Sequence, residues 1–173
     1  MPDPRIRPIE AADVPTVVDL VYELAEYERL RELCHLDSEQ LQNALFGPTP
    51  ALFGLVAEDP EHKVVGYALY FLNFSTWEGV HGIQLEDLYV RPTQRGTGRG
   101  TALLAALAAI AVARGYARVD WSVLDWNTPS IAFYRSLGAV AMDEWTGFRL
   151  TGEALTVVAQ SGADRTTATP RSD

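Results

Sequence analysis

The chain has 173 residues, with 14 Lys and Arg against 23 Asp and Glu, a formal net charge of −9. That length suits one domain, and 47% hydrophobic with 10% aromatic residues supplies a core, which excludes a wholly disordered chain. The acidic balance repels phosphate backbones, arguing against nucleic acid as a partner and for cationic small molecules. Cys34 has no second cysteine for an internal disulfide, and Cys34, His35, His62 and His81 lack zinc-ligand spacing, so no metal is expected. Met1–Arg5 lacks the apolar core of a signal peptide, and no apolar run approaches the roughly 18 residues of a membrane span. The expectation is a soluble cytoplasmic protein with no membrane partner.

Along the chain, Asp13 reads as an N-cap with Pro15 in the first turn. Val14, Val17, Val18, Val21, Leu24 and Ala25 then recur at helical spacing up to about Arg31. The other side and exit of this helix carry Asp19, Glu23, Glu26, Glu28 and Glu32, with Tyr22 and Tyr27 interleaved. Asp37, Ser38 and Gln40 form a capping pattern before a short helix through Leu41, Ala44 and Leu45, ended by Gly47-Pro48. Leu52–Ala57, Val64–Phe71 and Ile83–Val90 are β-branched or aromatic runs, with Asp59-Pro60 and Glu78-Gly79 as turns, which predicts an antiparallel meander.

After Arg91-Pro92 comes Arg95-Gly96-Thr97-Gly98-Arg99-Gly100, then an Ala/Leu-rich helix, Thr101–Arg114, with Gly115 as its C′ glycine. This helix is apolar almost all round and is predicted to be buried over most of its surface. Arg118–Leu124 reads as a strand, so strand, helix and strand make a right-handed, locally parallel crossover. Pro129–Leu137 is a short helix closed by Gly138, and Met142–Leu150 is expected to supply one or two terminal strands. Ser161–Asp173 has no apolar period and reads as disordered, which gives one domain over residues 1–159 and a tail over 160–173. No internal repeat is present.

Between a strand and a helix, the glycine cluster offers unpaired backbone N–H groups and a positive helix end to a pyrophosphate, with Arg95 and Arg99 adding charge. The plainer alternative is a flexible turn with two solubilising arginines. No Lys follows the last glycine, so this is not a P-loop, and the GxGxG spacing of Gly96, Gly98 and Gly100 is not the dinucleotide fingerprint. Asp120 stands where a ribose-binding acid would be sought. A dinucleotide fold, however, puts its loop after the first strand, and here three predicted strands and two helices precede it. Glu86 and Asp87 are adjacent carboxylates in an apolar strand and point to opposite faces unless a bulge intervenes. They either pair with arginines near a strand end or serve a site, because burying them unpaired is costly. Tyr134, one turn from Ile131 and from Leu137, reads by spacing alone as a core tyrosine.

Gln94 or Arg95, two residues, Gly98, one residue and Gly100 resemble the R/Q-x-x-G-x-G/A signature of the GCN5-related N-acetyltransferase (GNAT) superfamily. Glu23–Glu28, Leu85–Val90, Leu124-Asp125-Trp126-Asn127, Phe133-Tyr134 and Leu137-Gly138-Ala139 resemble the diamine acetyltransferases, over residues 5 to about 150. Phe74-Ser75-Thr76-Trp77 with Gly79, and the Leu-Asp-Trp-Asn run, look closer to the thialysine N-epsilon-acetyltransferases than to the spermidine/spermine enzymes, which tend to carry an acid where Ser75 stands.

The resemblance implies an α/β fold of GNAT type. This is a mixed, mostly antiparallel central sheet with a parallel splayed pair at the acetyl-CoA site, flanked by about four helices. It implies that Leu88, Tyr89 and Val90 bind the pantetheine arm, and that Arg95, Gly96, Thr97, Gly98, Arg99, Gly100 and Thr101 bind the pyrophosphate. Asn127, Thr128, Pro129 and Ser130 are implied around the pantetheine and phosphates, and Tyr134 near the cofactor sulfur as general acid. Glu86 becomes the proton acceptor at the amine, directly or through water, because an alkylammonium with a pKa near ~10 must lose a proton before it attacks. Glu28 and Asp87 would attract the cation, and Tyr27 and Trp77 would pack along its stem. Asp120, Trp121, Ser122 and Thr146 are implied at the substrate border.

Arg135 is followed by Ser136 and Leu137, which departs from the more basic pattern of the family and leaves fewer partners for the 3′-phosphate of CoA. A homodimer is also implied. The expected activity is direct acetyl transfer to a primary amine of thialysine or a lysine-like diamine. Polyamine acetylation and a non-catalytic acyl-CoA sensor are the alternatives.

Overall fold

The computed structural model describes residues 3–166, with side chains through Ser161. The described strands form one sheet in the order β1 (Ile6–Pro8), β2 (Phe53–Glu58), β3 (Val64–Ser75), β4 (Val80–Val90) and β5 (Val119–Asp120). Strands β1 to β4 are antiparallel to their neighbours, whereas β5 runs parallel to β4. The helices are α1 (Val14–Tyr27), α2 (Ser38–Phe46), α3 (Arg99–Arg114), α4 (Thr128–Ser136) and α5 (Gly152–Thr166). By its internal contacts the chain divides into two compact units, the first ending at Leu124 and the second beginning at Asp125.

In the first unit the sheet is covered on both faces. Val64 to Tyr70 of β3 are buried without interruption, the pattern of a strand with helices on each side. Val14, Val17, Val18 and Leu20 of α1 and Leu41 and Leu45 of α2 pack with Tyr67, Leu69 and Tyr89 into one apolar cluster. Leu103, Leu104, Leu107 and Ala111 of α3 are buried as well, and α3 packs against β4. Each fully buried Leu stabilises the fold by about 2 kcal/mol relative to exposure.

Asp37 caps α2 as the sequence suggests. Its side chain accepts the Gln40 N–H at 2.7 Å and the Gln40 side chain accepts the Asp37 N–H at 3.0 Å. The Asp13 expectation is overturned, because this residue closes a 3-10 turn (Ala11–Asp13) and gives no side-chain cap to α1. Its carboxylate instead binds Arg7 at 2.6 and 2.9 Å and accepts the Glu10 N–H at 2.8 Å, a two-bond ion pair that outweighs a single bond to a helix N–H. α1 stops at Tyr27 rather than near Arg31, and Arg29 takes a φ of +61°.

Three further expectations are corrected. No strand forms in 142–150, where Met142, Trp145, Phe148 and Leu150 stay exposed; strand propensity is expressed only where a paired edge accepts the ladder. α3 buries one face only, and Val112 on the other is 82% exposed. α5 runs through Thr166, into the segment expected to lack order, because Glu153, Ala154, Leu155, Ala159 and Gln160 are good helix formers; residues beyond 166 lie outside the described ones. Strand β1, three residues ending in proline, is too short to announce itself by alternation, and β5 is shorter than the predicted Arg118–Leu124.

Candidate active site

Strand β4 carries the first half of the site. Leu69 of β3 faces Asp87 and Tyr70 faces Leu85, so Glu86 is the extra residue of a β-bulge. The bulge breaks the alternation that would send the adjacent acids to opposite faces, leaving Glu86 exposed and Asp87 partly buried. Burial first, and then the charges of Glu86 and Glu28, raise the Asp87 carboxyl from 3.8 to about 6, against which the hydrogen bond from Tyr67 acts. Glu28, just past the end of α1, is also raised by its own burial. The charges of Glu28 and Glu86 therefore both act on Asp87, a cluster of negative charge of the kind that attracts an ammonium group.

Tyr27 and Trp77, the aromatic residues expected around that amine, lie at the end of α1 and in the β3–β4 turn. Tyr27 is half-buried, with the Arg95 guanidinium 4.9 Å from its ring centre. Trp77 stands 90% exposed in the β3–β4 turn. Ser75 is buried, and its hydroxyl accepts the Glu78 N–H of that turn at 3.2 Å. Asp120 is held by Arg118 at 2.6 Å and by the Asn73 amide at 3.1 Å. Trp121 is half-buried and Ser122 exposed.

Beyond the bulge lies the second half. β5 pairs with β4 only at Ile83 and Gln84, so among the described residues no strand lies on that edge of β4 from Leu85 through Leu88, Tyr89 and Val90. A Pro92–Gln94 turn follows, and then Gly96 and Gly98 take φ values of +72° and +82°, conformations that favour glycine. Gly98 is the N-cap of α3, so Arg99, Gly100 and Thr101 present first-turn N–H groups with no acceptor inside the helix. Arg95 donates from Nε to the Val90 carbonyl at 2.9 Å and lies 5.4 Å from the Tyr89 ring centre. Arg99 is buried and donates to the Glu58 carbonyl at 2.9 Å and to Thr97 Oγ1 at 2.7 Å.

In the second unit, Asn127 caps α4, its side chain accepting the Ser130 N–H at 3.4 Å, and Thr128 and Pro129 open the helix. Tyr134 lies half-buried on α4 beside Phe133, their ring centres 5.3 Å apart, and the Gly138 φ of +86° ends the helix region. Thr146 is exposed. Sequence reasoning missed Tyr67, the partner of Asp87, and Arg5, which reaches the glycine loop. Tyr67 hides inside an unbroken apolar run, and β1, where Arg5 leads in, gave no strand signal.

Among the described residues, no group of three or more His, Cys, Asp or Glu side chains is placed to hold a metal ion. None of the described helices is long and apolar enough to cross a membrane.

An opened parallel strand pair leads into a glycine loop and a helix N-terminus, the arrangement that the family resemblance implies for an acyl-CoA-dependent transferase. The model of the acetyltransferase (GNAT) family matches residues 18–139. The chain is 39% identical over 160 residues to the thialysine N-epsilon-acetyltransferase of Bos taurus, covering 87% of this chain and 94% of that protein. It is 30% identical over 198 residues to the L-ornithine N5-acetyltransferase of Arabidopsis thaliana, covering 89% of this chain and 87% of that protein. An integron cassette protein from the V. cholerae mobile metagenome superposes with a TM-score of 0.75 at 26% identity, covering 90% of this chain and 96% of that one. The chain belongs to the acetyltransferase (GNAT) family and is an N-acetyltransferase that uses acetyl-CoA as cosubstrate.

Proposed function

We propose that this enzyme acetylates the terminal primary amine of a small cationic amino acid, thialysine or a lysine-like diamine, by direct transfer. The carrying observation is the acid cluster at the β4 bulge, where Glu86, Asp87 and Glu28 adjoin the strand that leads into the glycine loop. Their combined charge binds the ammonium form, and Glu86 removes a proton from it, directly or through water. The freed nitrogen attacks the thioester carbonyl, so a C–N bond forms and the C–S bond breaks as the nitrogen loses its second proton, which replaces the one that leaves on CoA. By its sequence match, Tyr134 returns a proton to the departing CoA thiolate. Products are the N-acetyl amine and CoA, and no covalent enzyme intermediate is needed.

By the sequence match, Leu88 to Val90 hold the pantetheine arm and the backbone of the 95–101 loop and helix start holds the pyrophosphate, while Asn127 to Ser130 match the segment that binds the cofactor in the family. Both relatives above are named for acetylating an amino acid that bears a side-chain amine, which supports an amino acid over a long polyamine. Ser75 supports it too, since its hydroxyl is used within the turn and supplies no second acid. The reading carries the expectation of a cytoplasmic homodimer, which analytical ultracentrifugation checks for assembly.

The test is CoA release from acetyl-CoA across thialysine, lysine, ornithine, putrescine, spermidine and spermine. Preference for thialysine or ornithine supports the reading, and activity confined to polyamines overturns the choice of substrate. Acetyl-CoA binding without turnover of any amine favours a sensor.

A further inference from the structure

Two left-handed glycines flank Thr97, and a segment of that kind is ordinarily among the most mobile in a chain. Here Thr97 is held on every polar atom of its side chain and on its carbonyl. Its hydroxyl donates to the Gln94 carbonyl at 2.6 Å and accepts from Arg99 Nη1 at 2.7 Å. Its backbone carbonyl accepts from Arg5 Nη1 at 2.9 Å, a contact across 92 positions of sequence. Arg5 is itself oriented by Asp3, which takes Nη2 at 2.7 Å, Nε at 2.9 Å and the Arg5 N–H at 3.0 Å. At the other end, Arg99 is tied to the β2 terminus through the Glu58 carbonyl. A continuous chain of hydrogen bonds thus runs Asp3, Arg5, Thr97, Arg99, Glu58.

Because a peptide group is planar and trans, fixing the Thr97 carbonyl on Arg5 fixes the Gly98 N–H on the opposite side. That N–H lies immediately before the unpaired N–H groups of the α3 first turn. A cationic residue in the first turn of a helix opposes the macrodipole, so Arg99 is not there for the benefit of the helix. Arg99 also acts on the Asp3 and Asp59 carboxyls, and Arg5 is paired with Asp3, so each arginine has an acid near it.

We propose that Arg5, oriented by Asp3, and Arg99 are positioning residues: they set the 96–98 loop in its anion-binding shape before the diphosphate of the acyl donor arrives. The inference rests on the acetyl-CoA reading above and goes beyond it, because Arg5 touches the loop backbone and Asp3 touches Arg5, neither touching the reacting groups. Preorganisation of this kind lowers the ordering cost of binding and leaves the chemical step alone.

The experiment compares Arg5→Ala, Arg5→Lys and Asp3→Asn with the parent enzyme, using acetyl-CoA and acetyl-pantetheine, which lacks the diphosphate. Arg5→Ala is expected to raise KM for acetyl-CoA about three- to tenfold with kcat within about twofold, and to leave KM for acetyl-pantetheine unchanged. Asp3→Asn gives a smaller rise, and Arg5→Lys, which can still donate one bond to Thr97, recovers part of the loss. The slope of KM against salt stays that of the parent, since the guanidinium sets geometry rather than pairing with phosphate. An unchanged KM in Arg5→Ala overturns the proposal. So do equal losses on both donors, which would mean general destabilisation, and a flattened salt slope, which would mean direct phosphate contact. Failure of the parent itself to bind acetyl-CoA, read by calorimetry, would remove the donor reading and this inference with it.

Discussion

The Tyr67 hydroxyl donates to Asp87 Oδ2 across 3.4 Å and joins the fully buried core to the acid cluster on β4. Burial and the neighbouring Asp87 charge push the Tyr67 phenol well above its ordinary value, so it remains a donor throughout the working range. Asp87 is the group that titrates.

The Asp87 pKa is raised from 3.8 to about 6, so between those values the folded state binds more protons than the unfolded one. Stability attributable to this group falls as pH rises through that window, and the cost is complete above about pH 6. Asp87→Asn is therefore expected to be more stable than the parent by about 3 kcal/mol at pH 8, with the gap shrinking to a fraction of that at pH 4. Urea denaturation at the two pH values checks it; an equal gap at both would dissociate Asp87 from the effect.

Activity should move the opposite way. On the proposed reading ionised Asp87 attracts an ammonium substrate, so kcat/KM for the amine is expected to climb through about pH 6, a limb that Asp87→Asn flattens. Initial rates from pH 5 to 9 at saturating acetyl-CoA measure it. Persistence of the limb in the variant assigns it to another group.

At the bulge, Glu86→Gln keeps the shape and removes the proposed proton acceptor. We expect kcat to fall about 10²-fold or more, with acetyl-CoA affinity unchanged by calorimetry. A loss confined to KM for the amine would make Glu86 a binding residue only.

Tyr134→Phe removes the proposed acid while leaving the ring on α4. Turnover should drop at least about tenfold with little change in acetyl-CoA binding. Unchanged turnover would remove Tyr134 from the mechanism.

Gly82 sits where β4 begins its contact with β5, and a Cβ there would meet Asn73 Oδ1 at 2.5 Å and the Arg118 side chain at 3.0 Å. Gly82→Ala is expected to destabilise by about 1 to 3 kcal/mol, read as a lowered Tm by circular dichroism. A neutral result would show that Asn73 moves aside freely.

Much of this protein was written locally. The Asp37 and Gln40 cap, the α3 stop at Gly115, the α4 stop near Gly138 and the glycine loop after Arg91-Pro92 each depend on the φ preferences and hydrogen-bonding reach of neighbouring residues. Sequence alone carries those properties. The Asp13 cap failed for the converse reason, since Arg7 lies in β1 and wins the carboxylate through an ion pair that helix spacing does not show. The terminal strands failed because pairing depends on an edge supplied from elsewhere.

Sequence by itself determined the family pattern, the acidic character and the order of strand, loop and helix, because these are properties of residues within a few positions of one another. Only the tertiary structure decided that Glu86 is the extra residue of a bulge, that Asp87 is partly buried against Tyr67, and that Arg5 reaches across 92 positions to Thr97. Register, burial and long-range hydrogen bonds are set by how distant segments pack, and no local preference of either partner encodes them.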